Sequence, residues 1–275
     1  MTITKTQIRA YADYLETEER SAATLEKYLR EARRFSDWLG ERLLNKDAAV
    51  QYKTALNGMV STVNGAISAL NSLFSFLGRT DCCLKHLRVQ RQTYRSEDRE
   101  LTKEELRRLI RAAEREGNER LARAIETIAA TGIRVSELHY FTVEALRERE
   151  VIITNKGKTR TVMLTKELTV KLRQYAKQRG IKSGAIFVTR SGRPMSRTQL
   201  WAEMKALCKK AGVEKAKVFP HNLRHLFAVV YYRLHKDIAK LADLLGHSSI
   251  NTTRIYLIET GKEHLRQLEA MRMVL

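Results

Sequence analysis

Long apolar runs are scarce in this 275-residue chain. The opening stretch MTITKTQIRAYADYLETEER carries charge where a secretion signal needs an apolar core, so export by that route is not expected. Cysteine is also scarce. Cys82, Cys83 and Cys208 are odd in number and lack ligand spacing, which argues against a disulfide framework or a zinc site and for a reducing compartment, the cytoplasm. Internal repeats and low-complexity tracts are missing as well. One long stretch lacks charge, Thr54 to Gly78, yet it carries Asn57, Asn64, Asn71 and Ser61, Ser68, Ser75 at seven-residue spacing, a pattern unfavourable against lipid. Its Leu56, Met59, Val60, Val63, Ile67, Leu70, Phe74 and Leu77 recur at helical spacing, so the stretch predicts one water-facing helix rather than a membrane span. The polar ladders either read bases or allow close helix packing, and packing is the favoured reading.

What the chain lacks most is acid. Lys and Arg number 51 against 31 Asp and Glu, a formal charge of +20. Self-repulsion of that size is relieved by a polyanion, which makes nucleic acid the leading partner and an anionic membrane surface the second. The imbalance is uneven: residues 1–100 carry 16 basic and 13 acidic side chains, residues 101–275 carry 35 and 18. The length favours two domains over one.

Residues 1–86 read as a helical bundle, with Leu25, Tyr28, Leu29, Phe35, Trp38 and Leu39 in one helical stripe. Residues 87–100, polar and aperiodic, read as a linker. Residues 101–275 open with a capping box, Thr102 and Glu105. EVIITNKGKTRTVMLT predicts a hairpin, GAIFVT one more short strand, and the remainder is helical. The fold class is therefore mainly α with a small antiparallel sheet: a helical bundle followed by an α+β domain.

Several segments carry chemistry. TGIRVSEL sets Arg134 just beyond a glycine that ends an apolar helix; alone, such an arginine is most often a solvated charge. In FPHNLRHLF, Pro220 marks a helix start and His221 and Arg224 share a face, a titratable imidazole beside a planar cation. His221 and His225 lack the glutamate of a zinc hydrolase, since position 222 is Asn, so no metal is expected. Lys156, Lys158 and Arg160 surround a hairpin tip, where a solvated turn explains them as well as a nucleic-acid groove does. In LLGHSSINTTRIY, Gly246 stops one helix, Ser249 caps the next, and His247 precedes Tyr256 by nine residues.

Taken in order, TGIRVSEL, NKGKTR, HNLRH and LLGHSSINTTRIY resemble the tyrosine recombinase (phage integrase) family, whose catalytic domain carries Arg, Lys, His-x-x-Arg, His or Trp, and a nucleophilic Tyr. The likeness extends to SAATLEKYLREARRFSDWL and STVNGAISALNSLFSFL, which look like the core-binding domain. It implies a simple two-domain, Xer-like or mobile-element recombinase, without an arm-binding domain ahead of residue 1.

The resemblance assigns roles. Arg134 and Arg224 clamp the non-bridging oxygens of a scissile diester, and His247 adds a donor. Tyr256 is the nucleophile: a phenol, whose ordinary pKa is about 10, is activated more readily than serine, and its ester conserves the energy of the broken linkage. Lys156, preferred to Lys158, protonates the leaving 5'-oxygen, and His221 manages the Tyr256 proton. Glu137 orients a cation, and His225 is a structural hydrogen-bonding histidine. No cofactor is implied. Double-stranded DNA is gripped through Lys27, Arg30 and Arg34 of the bundle and Lys158, Arg160, Arg190, Arg193 and Arg197 of the second domain. A terminal helix with Leu265, Leu268, Met271 and Leu275 docks on a neighbour, giving a homotetramer on paired sites. The alternatives are strand relaxation of the type IB topoisomerase kind and a DNA-binding regulator without chemistry.

Overall fold

The residues described in the computed structural model are 2–88, 100–155, 157–189, 191–254, 256, 265–266 and 269–271. The chain divides into two compact units, Met1–Arg91 and Gln92–Leu275. The point of division lies within residues 89–99, so most of the expected linker falls outside the described residues.

The first unit comprises α1 (Lys5–Thr17), α2 (Ala22–Leu39), α3 (Lys46–Ala55), α4 (Val60–Phe76) and a 3-10 turn at Thr80–Cys82. Thr4 starts α1 with a capping box to Gln7, and Asn45 caps α3 through the Ala48 N–H. The uncharged stretch is not one helix: α3 stops at Ala55 and α4 begins at Val60, because Asn57-Gly58 breaks the run and Gly58 takes φ +133°. The core is aromatic, with Phe35 edge-on to Tyr52 and Phe74 at 5.0 and 5.4 Å between ring centres.

The asparagine ladder has a definite task. Asn71 donates to the Leu84 carbonyl at 2.9 Å and accepts from the Leu84 N–H at 2.7 Å; Asn64 does the same for Leu87 at 2.9 and 2.7 Å. Seven residues of helix rise about 10 Å, as do three residues of extended chain. Two asparagines two turns apart therefore match Leu84 and Leu87 on an extended strap, each replacing the backbone partner that strap lacks.

The second unit runs α5 (Lys103–Arg115), α6 (Glu119–Thr131), a 3-10 helix (Val135–Tyr140), α7 (Val143–Glu148), β1 (Glu150–Asn155), β2 (Lys158–Met163), α8 (Lys166–Gln178), α9 (Arg197–Ala211), α10 (Pro220–His235), α11 (Ile238–Leu245) and α12 (Ile250–Arg254). Thr102 and Glu105 form the capping box of α5 at 2.9 and 3.1 Å. Strands β1 and β2 pair antiparallel from Glu150↔Met163 to Asn155↔Lys158, and Gly157 takes φ +73° at the tip. Val151, Ile153 and Val162 face the core, and Ile152 and Met163 face solvent.

GAIFVT does not form a strand. Ile186 and Phe187 are fully buried, but the segment pairs only through the isolated bridges Thr142↔Ala185 and Val188↔Pro194, so its apolar pattern reflects burial rather than a ladder. The fold is thus mainly helical with one two-stranded antiparallel sheet among the described residues. No described helix is long and apolar enough to cross a membrane.

Candidate active site

Arg224 is the centre. Pro220 occupies the first turn of α10, where its missing N–H costs nothing, and this start sets Arg224 on the buried face. The residue is 2% exposed, and its guanidinium makes the contacts that follow. It donates to the Gly132 carbonyl at 2.6 Å and to the Leu245 carbonyl at 2.6 Å, the C-terminal ends of α6 and α11. Helix C-termini carry partial negative charge, so two of them stabilise a buried cation where a carboxylate would otherwise be needed. Burial, then the nearby Arg134, pull the Arg224 pKa down to about 10, which leaves it charged at neutral pH.

Gly132 is required twice over. It ends α6 at φ +67°, and a Cβ there would lie 2.4 Å from the Phe227 ring and 3.0 Å from Leu245. That close approach brings its carbonyl to Arg224. Two residues on, Arg134 donates to Glu137 through its guanidinium at 3.0 Å and its backbone N–H at 2.7 Å. Glu137, 1% exposed, also accepts two bonds from Arg160 at 3.0 and 2.8 Å. Burial opposes the Glu137 charge, but the bonds from Arg160 and Arg134 outweigh it and hold the carboxyl below its usual range.

The hairpin basic group therefore splits. Lys158 is exposed. Arg160, grouped in the sequence with the DNA contacts, turns inward: its side chain is 14% exposed, lies against Gly246, and bridges β2 to Glu137. A Cβ at Gly246, which takes φ +64°, would meet the Arg160 guanidinium at 2.8 Å. Lys156 lies outside the described residues.

His247 follows that glycine. Its Nε2 is 2.9 Å from Arg224 Nη2, and its Nδ1 is 2.8 Å from Thr253 Oγ1. Burial first, then Arg224, Arg134, Arg160 and His221, push its pKa down to about 4, so the ring is neutral at pH 7. Ser249 accepts from the Asn251 N–H at 3.3 Å at the start of α12, and Tyr256 lies two residues past that helix's end. Tyr256 is 7% exposed, with its hydroxyl 3.5 Å from His221 Nε2. Its ring packs among three imidazoles, His225 at 5.3 Å, His247 at 5.8 Å and His221 at 5.9 Å between ring centres. His225 is buried, 3.6 Å from Glu100 Oε1, and packs against the tyrosine ring.

Arg134, His221, Arg224, His247 and Tyr256 thus converge, with Glu137 and His225 beside them. Three guanidiniums, those of Arg134, Arg160 and Arg224, surround one carboxylate, Glu137. The remaining positive charge is suited to a phosphodiester. Two participants were not anticipated from the sequence. The hairpin pattern directs Arg160 to the groove, and the signal available for Thr253 is its place three residues before Tyr256. Among the described residues no cluster of His, Cys, Asp and Glu suits a metal ion.

Of the remaining DNA candidates, Arg30 and Arg34 are exposed and both reach Glu31, at 3.4 and 3.6 Å. The Lys27 side chain lies across α4 at Gly65, where its amine would sit 2.7 Å from an added Cβ. Arg193 and Arg197 are exposed, and Arg190 lies outside the described residues. In the terminal segment, Leu265 and Met271 are exposed, while Leu268 and Leu275 lie outside them.

Residues 99–263 match the model of the phage integrase family. Over 274 residues the chain is 32% identical to tyrosine recombinase XerA of Thermococcus kodakarensis, spanning 95% of this chain and 93% of that one. Its fold is similar to that of XerH site-specific recombinase bound to difH substrate in a pre-cleavage complex (TM-score 0.70, 19% identity, 96% and 89% of the two chains). It is similar also to that of a lambda integrase tetramer bound to a Holliday junction (TM-score 0.72, 18% identity, 91% and 76%).

Proposed function

The chain belongs to the phage integrase family of tyrosine recombinases, and from that premise we propose that Tyr256 cleaves DNA through a 3'-phosphotyrosyl intermediate. It is a site-specific DNA recombinase. The observation that carries the assignment of roles is the seating of Tyr256: its hydroxyl is 3.5 Å from His221 Nε2, beside guanidiniums that outnumber the local carboxylates.

In this reading Arg134, Arg224 and His247 bind the non-bridging oxygens of the scissile phosphate. The charge that grows there in the transition state meets donors already oriented, so little reorganisation is needed. The Tyr256 oxygen attacks phosphorus as its proton passes toward His221, and the 5'-oxygen leaves with a proton from Lys156. The P–O bond formed conserves the energy of the bond broken, and a 5'-hydroxyl attacking the phosphotyrosine reverses the step on a new strand. Seating of Tyr256 in its own chain's pocket favours cleavage in cis. Glu137 holds Arg134 and Arg160 in register. Lys27, Arg30, Arg34, Lys158, Arg190, Arg193 and Arg197 contact phosphates on double-stranded DNA.

The finer arrangement is a homotetramer on paired sites, with the segment after Tyr256 docked on a neighbour; the lambda integrase tetramer supports it by fold. The chain works in the cytoplasm, which agrees with its three free thiols. Similarity along nearly the whole length to a named recombinase favours strand exchange over supercoil relaxation.

The test is a nicked suicide substrate. The wild-type protein is expected to accumulate a covalent adduct whose DNA ends in a 3'-phosphate joined to Tyr256, in EDTA as well as without it. Tyr256→Phe should bind the same DNA and form no adduct. An adduct that persists in the Phe variant overturns the assignment.

A further inference from the structure

Thr253 contributes nothing to the roles given above, yet its side chain is fully buried and bonded to the phosphate-binding imidazole. The proton positions there can be deduced. A guanidinium only donates, so the 2.9 Å approach of Arg224 Nη2 makes His247 Nε2 an acceptor and leaves the ring proton on Nδ1. Thr253 Oγ1, 2.8 Å from Nδ1, then accepts that proton. To donate to a phosphate oxygen, His247 must present the opposite arrangement, with a proton on Nε2. A neutral ring reaches it only by losing the Nδ1 proton, and Nδ1 then needs a donor in place of an acceptor. A hydroxyl meets both demands by rotating about its C–O bond; a carbonyl or carboxylate meets only the first.

The location of Thr253 adds a second consequence. It lies on α12, three residues before Tyr256, and the Tyr256 ring stacks on His247 at 12° between planes. The segment that delivers the nucleophile is therefore the segment that orients the imidazole. We propose that Thr253 is a positioning residue that couples the docking of the Tyr256 segment to the orientation and proton placement of His247, so that the phosphate pocket is complete only when the nucleophile is seated.

This rests on the recombinase reading of the site, and the experiment separates the two. Single-turnover cleavage of the nicked suicide substrate is measured for wild type, Thr253→Val, Thr253→Ser, His247→Ala and the His247→Ala/Thr253→Val double variant. DNA affinity and thermal midpoint are measured in parallel. Valine keeps the shape and removes the bond; hydrogen bonds that orient a site imidazole typically matter by about ten- to a hundredfold, so a slowing of that order is expected at unchanged DNA affinity. Serine should restore the rate to within about threefold, because it restores the hydroxyl. In the His247→Ala background the valine change should add no further loss, since Thr253 acts through His247.

Wild-type rates for Thr253→Val, serine as slow as valine, or additive losses in the double variant would each overturn the proposal. Imidazole 15N spectra of His247 in the free protein give a reading that needs no cleavage. The proton should sit on Nδ1 in wild type, held there by Arg224 on Nε2, and in Thr253→Val the Nδ1–H resonance should move upfield for want of its acceptor; an unchanged Nδ1–H shift in the valine variant also overturns it. Failure of the wild type to form any adduct overturns the recombinase reading instead, and the spectra then decide the Thr253 bond by themselves.

Discussion

The two units bury polar groups to different extents. Among the described residues of the first, Glu31 is the buried charged or polar side chain; the second buries Arg123, Thr127, Thr131, Glu137, Thr169, Asn222, Arg224, His225 and Thr253. A bundle that holds no reacting group excludes such groups from its core, because each carries a desolvation cost. The second unit accepts that cost, and five of its nine, Glu137, Asn222, Arg224, His225 and Thr253, belong to the site or to the α10 helix that frames it.

Within that unit, two buried arginines refine the lesson. Arg123 is 5% exposed and is bonded to Glu114 and Glu126, so its charge is answered twice and its role is to hold α6. Arg224 is 2% exposed and answered by two carbonyls and an imidazole. Burial does not distinguish a working arginine from a structural one; charge balance does. A cation left without a carboxylate is ready for an anion that arrives later.

The sharpest way to break this distinction is to exchange both arginines. Arg224→Lys should slow cleavage by about a hundredfold to a thousandfold, since one ammonium cannot span two carbonyls and a phosphate. Its thermal midpoint should fall too, because a lysine leaves one helix-end carbonyl without its donor. Arg123→Met should lose about 1 to 3 kcal/mol of stability while DNA cleavage by the folded fraction survives. Denaturant titration and suicide-substrate rates on both variants check the pair, and equal effects on rate would end the comparison.

Gly132→Ala tests the scaffold beneath Arg224. It forces a side chain into φ +67° and against Phe227, for a loss of about 2 to 4 kcal/mol with a fall in cleavage, read by the same two assays.

A smaller effect concerns pH. His247 is lowered from 6.5 to about 4, so between those values the unfolded chain binds a proton that the folded chain refuses. Stability should therefore fall as pH drops from 6.5 to 4. His247→Gln should flatten that slope by on the order of 1 to 2 kcal/mol after allowance for partial exposure, in denaturation measured at a series of pH values.

The smallest expected change lies in the first unit. Asn71→Ala should cost about 1 to 2 kcal/mol and speed amide exchange at Leu84, and Asn64→Ala, at the more exposed Leu87, should cost less. Neither should alter the rate of cleavage by bound protein, which is the converse of Arg224→Lys.

Much of the architecture could be read before the coordinates. Thr102 and Glu105 announced α5, Pro220 announced α10, and the alternation around Lys156-Gly157 announced the hairpin, because capping, proline geometry and strand period are properties of adjacent residues. The chain order of Arg134, His221, Arg224, His247 and Tyr256 was equally legible. Errors arose where a local pattern had two tertiary meanings. GAIFVT is apolar and β-branched, as a strand is, yet it is simply buried. The asparagine ladder suits packing or base reading locally, and its real partners lie 13 and 23 residues away.

The order and chemical types of the site groups, and the helices that carry most of them, follow from the sequence, since periodicity and caps are written within a few residues. Tertiary structure alone directed Arg160 inward to Glu137, brought the ends of α6 and α11 together on Arg224, and set Thr253 against His247. Each depends on which surfaces meet after the chain has folded. The first two join residues 21 to 92 positions apart, which meet only through packing, and Thr253 and His247, six apart, are joined by the turn between α11 and α12 rather than by any helical repeat.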